Sequence, residues 1–174
     1  MNIVKYPDRK DWVSLLERPH RDASELRETV KTVLDRILED GDAAVKEFEQ
    51  KFDKVQLESL AVSEAEMQEA EGLVSPDLAD ALKLAHSNIE KFHASQKFNS
   101  AKVEVAPGVV CWQKSVPIEK VGLYIPGGTA PLFSTVLMLA TPAKIAGCKE
   151  IVLCTPPNRE GKVHPAILVA ARIA

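Results

Sequence analysis

Residues 121–157 read VGLYIPGGTAPLFSTVLMLATPAKIAGCKEIVLCTPP, and this stretch decides the fold. Its first apolar run, residues 121–125, is stopped by Pro126-Gly127-Gly128, and a second apolar run occupies residues 150–155. The long apolar segment between the two runs ends at Gly147 and has the length of a helix. Strand, glycine turn, helix and strand in this order predict a parallel βαβ unit whose sheet is buried on both faces.

The glycine pair Gly127-Gly128 has two explanations. A helix that follows it directly presents unpaired N–H groups and the positive end of its dipole, which suit a phosphate or a carboxylate. Alternatively, the glycines only permit a sharp turn with positive φ. They match neither GxGxxG nor the GK[ST] of a P-loop. From the residues alone, both explanations stay open.

The composition indicates a globular chain, with 174 residues, 45% hydrophobic and 27% charged. A net charge of −3 gives no electrostatic footprint for nucleic acid or an anionic membrane surface. No apolar run reaches the ~20 residues of a membrane span, and the N-terminus has no apolar signal segment. Three widely spaced cysteines are typical of a reducing compartment. We therefore expect a cytoplasmic protein without nucleic-acid or membrane partners.

The first two-thirds of the chain predict a helical layer followed by a β-hairpin. Capping boxes at Asp22–Glu25 and Ser63–Glu66 each mark a helix start. Ser75-Pro76 opens a long helix that is expected to reach about Lys97. Two β-rich runs flank Pro107-Gly108, the pattern of a hairpin.

We predict a domain boundary near Lys120. It separates residues 1–119, an N-terminal arm with a partial helical α/β domain, from residues 120–174, the truncated start of a Rossmann-like domain. The arm before about Pro19 has an apolar face too short to stand alone. Such an arm docks either on its own chain or on a partner subunit.

Residues 121–157 closely resemble the corresponding stretch of the histidinol dehydrogenase family. The resemblance extends to EDGDAAVKEFEQKFD at 39–53, NIEKFHASQ at 88–96 and PGVVCWQKSVPIEK at 107–120. Members of that family are much longer. The apolar helical pattern near the end of this chain runs to Ala174 without a cap, so we expect the N-terminal part of a larger enzyme.

The resemblance implies an intertwined homodimer that oxidises L-histidinol to L-histidine through histidinal, with NAD as the oxidant and zinc holding the substrate. The tyrosine of the family's GLYxPGG motif contacts NAD, and Tyr124 matches it, with Pro126, Gly127 and Gly128 completing the motif. The zinc ligands and a Glu-His proton-transfer pair belong to the C-terminal part of the family's chain. We therefore assign no catalytic residue and no metal ligand here, and expect the chain alone to be inactive.

The remaining candidates have structural alternatives. Tyr124 either reaches the cofactor beyond the strand end or packs on the sheet. Ser134 either caps the helix or contacts a phosphate or ribose of the cofactor. Cys154, at a strand end, could trap an aldehyde, but no neighbour that lowers its pKa is identifiable, and we assign all three cysteines to the core.

Histidines and a proline complete the survey. His86 and His93 lie seven positions apart, a spacing that favours a polar helix face over a metal pair. His164 is assigned to a loop beside a proline. Pro142 predicts either a kink in the crossover helix or a restart capped by Thr141. A non-enzymatic module that binds a nucleotide or anion, or that dimerises, is the alternative function.

Overall fold

A computed structural model of the chain describes residues 3–18, 24–127 and 130–174. These residues form seven α-helices and four β-strands. The helices are α1 (Trp12–Leu16), α2 (Ser24–Asp40), α3 (Asp42–Phe52), α4 (Glu64–Leu73), α5 (Pro76–Ala94), α6 (Phe133–Ala146) and α7 (Pro165–Ile173). The strands are β1 (Val103–Ala106), β2 (Val109–Cys111), β3 (Lys120–Tyr124) and β4 (Glu150–Cys154). None of the described helices is both long and apolar enough to cross a membrane.

The chain divides into two compact units, Met1–Val45 and Lys46–Ala174. In the first unit, apolar residues recur every fourth position along α2 and remain exposed. This α2 stripe consists of Leu26, Val30, Leu34 and Leu38, whose exposed fractions lie between 46% and 87%. The boundary that we expect near Lys120 stays a prediction.

Local capping chemistry sets the starts of α4 and α5. The Ser63 hydroxyl accepts a hydrogen bond from the Glu66 N–H at 3.2 Å, and the Glu66 carboxylate accepts one from the Ser63 N–H at 2.8 Å. The Ser75 hydroxyl accepts from the Leu78 N–H at 3.3 Å, with a proline at the first helical position. Both predicted starts are confirmed. The capping box at Asp22 lies outside the described residues.

The strands form the two predicted pairs. β1 and β2 are antiparallel and turn through Gly108, whose φ is 79°. β3 and β4 are parallel, in register from Lys120↔Glu150 to Tyr124↔Cys154, and α6 connects them. The predicted βαβ unit and the α/β fold class are therefore confirmed.

The described residues cover one face of the β3–β4 sheet and leave the other exposed. Leu123 is buried and Ile151 and Leu153 are half-buried on the side where α6 packs. On the opposite face, Tyr124 is 63% exposed and Val152 is 50% exposed. The prediction of burial on both faces is therefore wrong for the described residues, because their helices pack against one side alone.

The core of the second unit lies between that sheet face and the helices. α5 packs on α6, while α4 packs on α7, and α6 contacts α7. Its most buried side chains include Ile125, Val136 and Leu137, each with 0% of its surface exposed. These contacts fix the positions of the sheet and of the starts of α6 and α7 relative to one another.

Helix α6 runs without interruption through Pro142, so the restart capped by Thr141 is wrong. Thr141 is 2% exposed, and its buried hydroxyl has no hydrogen-bond partner among the described residues. Proline cannot donate a backbone hydrogen bond to the preceding turn. The helix therefore continues past Pro142 because the buried residues of the turns before it are packed in the core.

Candidate functional site

A cleft opens beyond the carboxyl ends of β3 and β4. It has a volume of about 260 Å³. Its walls come from the segments that follow the two strands and from the starts of α6 and α7. The lining residues are Pro126, Gly127, Ala130, Pro131, Leu132, Thr155, Pro156, Pro157, Asn158, His164 and Ile167. This is the edge at which open α/β sheets bind their ligands.

Gly127 is required by a close approach of the two post-strand segments. A Cβ atom at this position would lie 2.5 Å from the Cγ atom of Pro156, closer than real Cβ contacts allow. Gly127 is not among the glycines with positive φ, so the turn explanation based on positive φ is wrong for it. Gly128 lies outside the described residues.

The start of α6 borders the cleft through its N-cap, Leu132. Leu132 has φ −89° and ψ 53° and makes no side-chain cap hydrogen bond. Ser134 is exposed inside the first turn and does not line the cleft. Its predicted capping role is wrong, because the helix begins at Phe133.

His164 is the N-cap of α7, a role that the sequence interpretation missed. Its Nδ1 accepts a hydrogen bond from the Ala166 N–H at 3.2 Å, and its carbonyl accepts from the Ile167 N–H at 2.9 Å. Pro165 occupies the first helical position. A proline at that position marks the preceding residue as a cap, and this signal could have identified His164 as the cap of the helical pattern that was predicted to start near it.

Asn158 fixes the loop between β4 and α7. Its side-chain oxygen accepts hydrogen bonds from the Glu160 N–H at 3.0 Å and the Lys162 N–H at 2.9 Å. Its own N–H donates to the Lys162 carbonyl at 2.8 Å. Gly161 completes the turn with φ 77°. The loop therefore holds the cleft wall through its own hydrogen bonds.

The described lining of the cleft carries no Asp, Glu, Lys or Arg side chain. His164 is the titratable residue of this lining. Thr155 and Asn158 are the other polar residues of this described lining, and the remaining walls are apolar.

Tyr124 is placed apart from the cleft. It ends β3 on the uncovered face of the sheet, in register with Cys154, and does not line the cleft that Pro126 and Gly127 border. Cys154 and Cys111 are exposed and Cys148 is half-buried, all three as free thiols. Our assignment of Cys111 and Cys154 to the core is therefore wrong, because the surfaces that carry them are uncovered in the described residues.

The described residues contain no group of three or more His, Cys, Asp or Glu side chains that could hold a metal ion. His93 lies on α5 with its Nδ1 2.7 Å from the Gln96 side-chain oxygen. His86 lies two turns earlier on the same helix. The described residues therefore do not fit a zinc site.

Comparisons with known proteins are consistent over nearly the whole chain. The family profile described as histidinol dehydrogenase matches residues 16–174. The histidinol dehydrogenase of Bacteroides thetaiotaomicron is 59% identical, and one from Bacteroides fragilis is 60% identical. Both matches cover 100% of this chain and 41% of the relative.

A solved structure agrees with these relatives. The crystal structure of histidinol dehydrogenase from Elizabethkingia anophelis matches with a TM-score of 0.91 and 49% identity. The match covers 96% of this chain and 39% of that one. The chain thus spans about two fifths of the length of the relatives that it matches.

Proposed function

Because this chain belongs to the histidinol dehydrogenase family, we propose that it supplies the start of the NAD-binding domain of such an enzyme. The enzyme oxidises L-histidinol to L-histidine in two NAD-dependent steps through L-histidinal, at the end of histidine biosynthesis. The observation that carries the proposal is the family match over residues 16–174, which includes the strands and helices that build the cleft.

We assign the cleft to part of the NAD molecule. Its volume, about 260 Å³, is below the ~300–1,000 Å³ of pockets that enclose drug-sized ligands, so it accommodates only a portion of a dinucleotide. The positive end of the α6 dipole suits the negatively charged phosphates of NAD. The described walls of the cleft add no negative charge that would oppose them. NAD, when bound, accepts the hydride that leaves the substrate. The residues of this chain bind and orient the cofactor.

The proposed cofactor contacts divide by position. Pro126 and Gly127 line the cleft after β3, and Gly128, which follows them in the sequence, is proposed as a further cofactor contact. Tyr124 offers an exposed ring at the end of β3, where it meets a portion of NAD that extends out of the cleft. Ser134, exposed in the first turn of α6, is a phosphate or ribose contact at the rim.

Zinc belongs to the same proposed activity, but these residues do not supply its ligands. The described part of the chain has no suitable donor group, and we assign the metal to portions of the enzyme outside this sequence. We propose that the chain alone forms no NADH from L-histidinol, with or without added zinc. Turnover by the purified chain, followed at the absorbance of NADH, would contradict this.

A homodimer is the proposed assembly, supported by the exposed α2 stripe. Leu34→Glu places a charge on that stripe and is expected to lower the dimer fraction in light scattering after gel filtration. Thr32→Glu adds the same charge on the opposite side of the helix and is the matched control. Equal masses for both variants and the unmodified chain would count against an α2 interface.

We also propose a cytoplasmic location, supported by the three free cysteines.

The NAD proposal is tested by titrating the cofactor into the ¹⁵N-labelled chain and following its amide resonances by NMR. Shifts should be concentrated at Gly127, Thr155 and His164, with few changes in the β1–β2 hairpin. Unchanged spectra at millimolar NAD would refute the assignment of the cleft. Shifts with NAD, together with an absence of histidinol dehydrogenase activity in any longer form of the protein, would favour the non-enzymatic binding module instead.

A further inference from the structure

We infer that His164 contacts the ligand of the cleft, donating a hydrogen bond from Nε2 to a phosphate oxygen of NAD. This inference rests on the proposed function of the cleft. It adds a second role to a residue that also caps α7.

The capping bond determines which ring nitrogen carries the hydrogen. Because Nδ1 accepts from the Ala166 N–H at 3.2 Å, the neutral ring carries its hydrogen on Nε2. The same bond restrains the orientation of the ring, and His164 lines the cleft. The fold therefore presents a fixed donor beside the cleft.

The backbone at the start of α7 is already occupied. The N–H groups of Ala166, Ile167 and Leu168 donate to the Nδ1 atom or the carbonyl of His164, and Pro165 has no N–H. Among the groups at the start of α7, the imidazole is therefore the one left to donate, while the Asn158 amide and the Thr155 hydroxyl are the other side-chain donors of the described lining.

The lining also distinguishes between the parts of a dinucleotide. Ribose hydroxyls in dinucleotide folds are bound by a carboxylate at a strand end, and the described lining of this cleft has none. A phosphate needs donors, and the imidazole Nε2–H is one. We therefore assign the His164 contact to a phosphate oxygen.

A purely structural role for His164 makes a different prediction, and the variant His164→Asn separates the two. Asparagine is a good N-cap, so this variant keeps the cap of α7. It lacks the Nε2–H group, and its shorter side chain does not carry its own amide hydrogens to the position of Nε2. His164→Ala removes both the cap and the Nε2–H donor. Because no ligand is bound in the thermal melt, the fall in melting temperature of this variant measures the contribution of the cap.

The experiment measures dissociation constants of the chain for NAD, ADP and adenosine by calorimetry, beside thermal melts of each variant. His164→Asn should melt close to the unmodified chain and bind NAD and ADP about ten-fold more weakly. Its affinity for adenosine, which has no phosphate, should be unchanged. The Nε2 resonance of His164 in the unmodified chain should also shift on addition of ADP.

The outcomes separate this inference from the proposed function. Unchanged NAD and ADP affinity in His164→Asn overturns the His164 contact and leaves the cleft assignment intact. An equal loss for adenosine also overturns the phosphate contact. If the unmodified chain binds neither NAD nor ADP, both the cleft assignment and this inference are wrong.

Discussion

Replacing Gly127 by alanine should destabilise the second unit, because the added methyl group would clash with Pro156. The backbone on either side cannot move apart easily to relieve the clash. The new Cβ would lie 2.5 Å from the Cγ atom of Pro156, about 1 Å inside ordinary van der Waals contact between carbon atoms. Proline rings on both sides of the contact, at Pro126 and Pro156, restrict the backbone adjustments that would relieve it. Overpacking of this kind costs about 1–3 kcal/mol.

That free energy corresponds to a fall of roughly 2–12 °C in melting temperature for a chain of this size. Circular dichroism melts and urea titrations measure it directly. Gly122→Ala is the matched control, because an added Cβ at Gly122 meets no atom of the described residues within 4 Å and φ is not positive there. The control should be neutral or slightly stabilising, since alanine loses less conformational entropy than glycine on folding.

A double-mutant cycle identifies the partner. Pro156→Ala removes the ring that collides with the new Cβ atom, so the cost of Gly127→Ala should be smaller in that background. A Gly127→Ala variant that melts with the unmodified chain would refute the close contact. An equal cost with and without Pro156 would show that the destabilisation has another origin.

Three further changes test other parts of the structure. Tyr124→Ala should change the unfolding free energy by less than about 1 kcal/mol, because the side chain is 63% exposed. It should weaken NAD binding about ten-fold, and Tyr124→Phe shows in the same titration whether the hydroxyl is responsible. Lys54→Gly should stabilise the chain by about 0.5–1 kcal/mol in urea titrations, since Lys54 has φ 62°; a loss of stability would contradict this. Arg172 holds the pKa of the Glu64 carboxyl below its ordinary value of 4.5 through a side-chain hydrogen bond. This stabilisation is present above the pKa of Glu64 in the unfolded chain and is lost as pH falls through its pKa in the folded chain. Arg172→Met should therefore make the melting temperature decline less steeply between roughly pH 5 and 3. Parallel declines for the variant and the unmodified chain would exclude the effect.

Local signals allowed much of the fold to be predicted. The Ser63–Glu66 capping box and the Ser75-Pro76 pair act within a few residues, so the sequence alone placed the starts of α4 and α5. The parallel strands were predictable because apolar runs and glycine stops delimit them. Burial on the outer face was not predictable, because residues 150–155 look the same whether one face or both are covered.

The candidate site depended more on tertiary contacts. Pro126 and Gly127 were predicted as cofactor contacts because they match the family's GLYxPGG motif, and both line the cleft. The reason for glycine at Gly127 is its approach to Pro156, and no sequence spacing reveals such a contact. Leu132 is an apolar N-cap without a sequence signal, so the sequence offered Ser134, in the first turn of α6, as the capping residue instead.

The pairing of β3 with β4 has a consequence for the order of folding. Each residue of β3 pairs with one 30 positions later, from Lys120↔Glu150 to Tyr124↔Cys154, whereas β1 and β2 turn through the two residues between Ala106 and Val109. Closing the longer loop costs entropy before any strand contact compensates for it. The hairpin and the capped helices α4 and α5 can therefore form early, while the parallel pair waits for α6 to dock. The cleft, built on the ends of that pair, is among the last features of the chain to assemble.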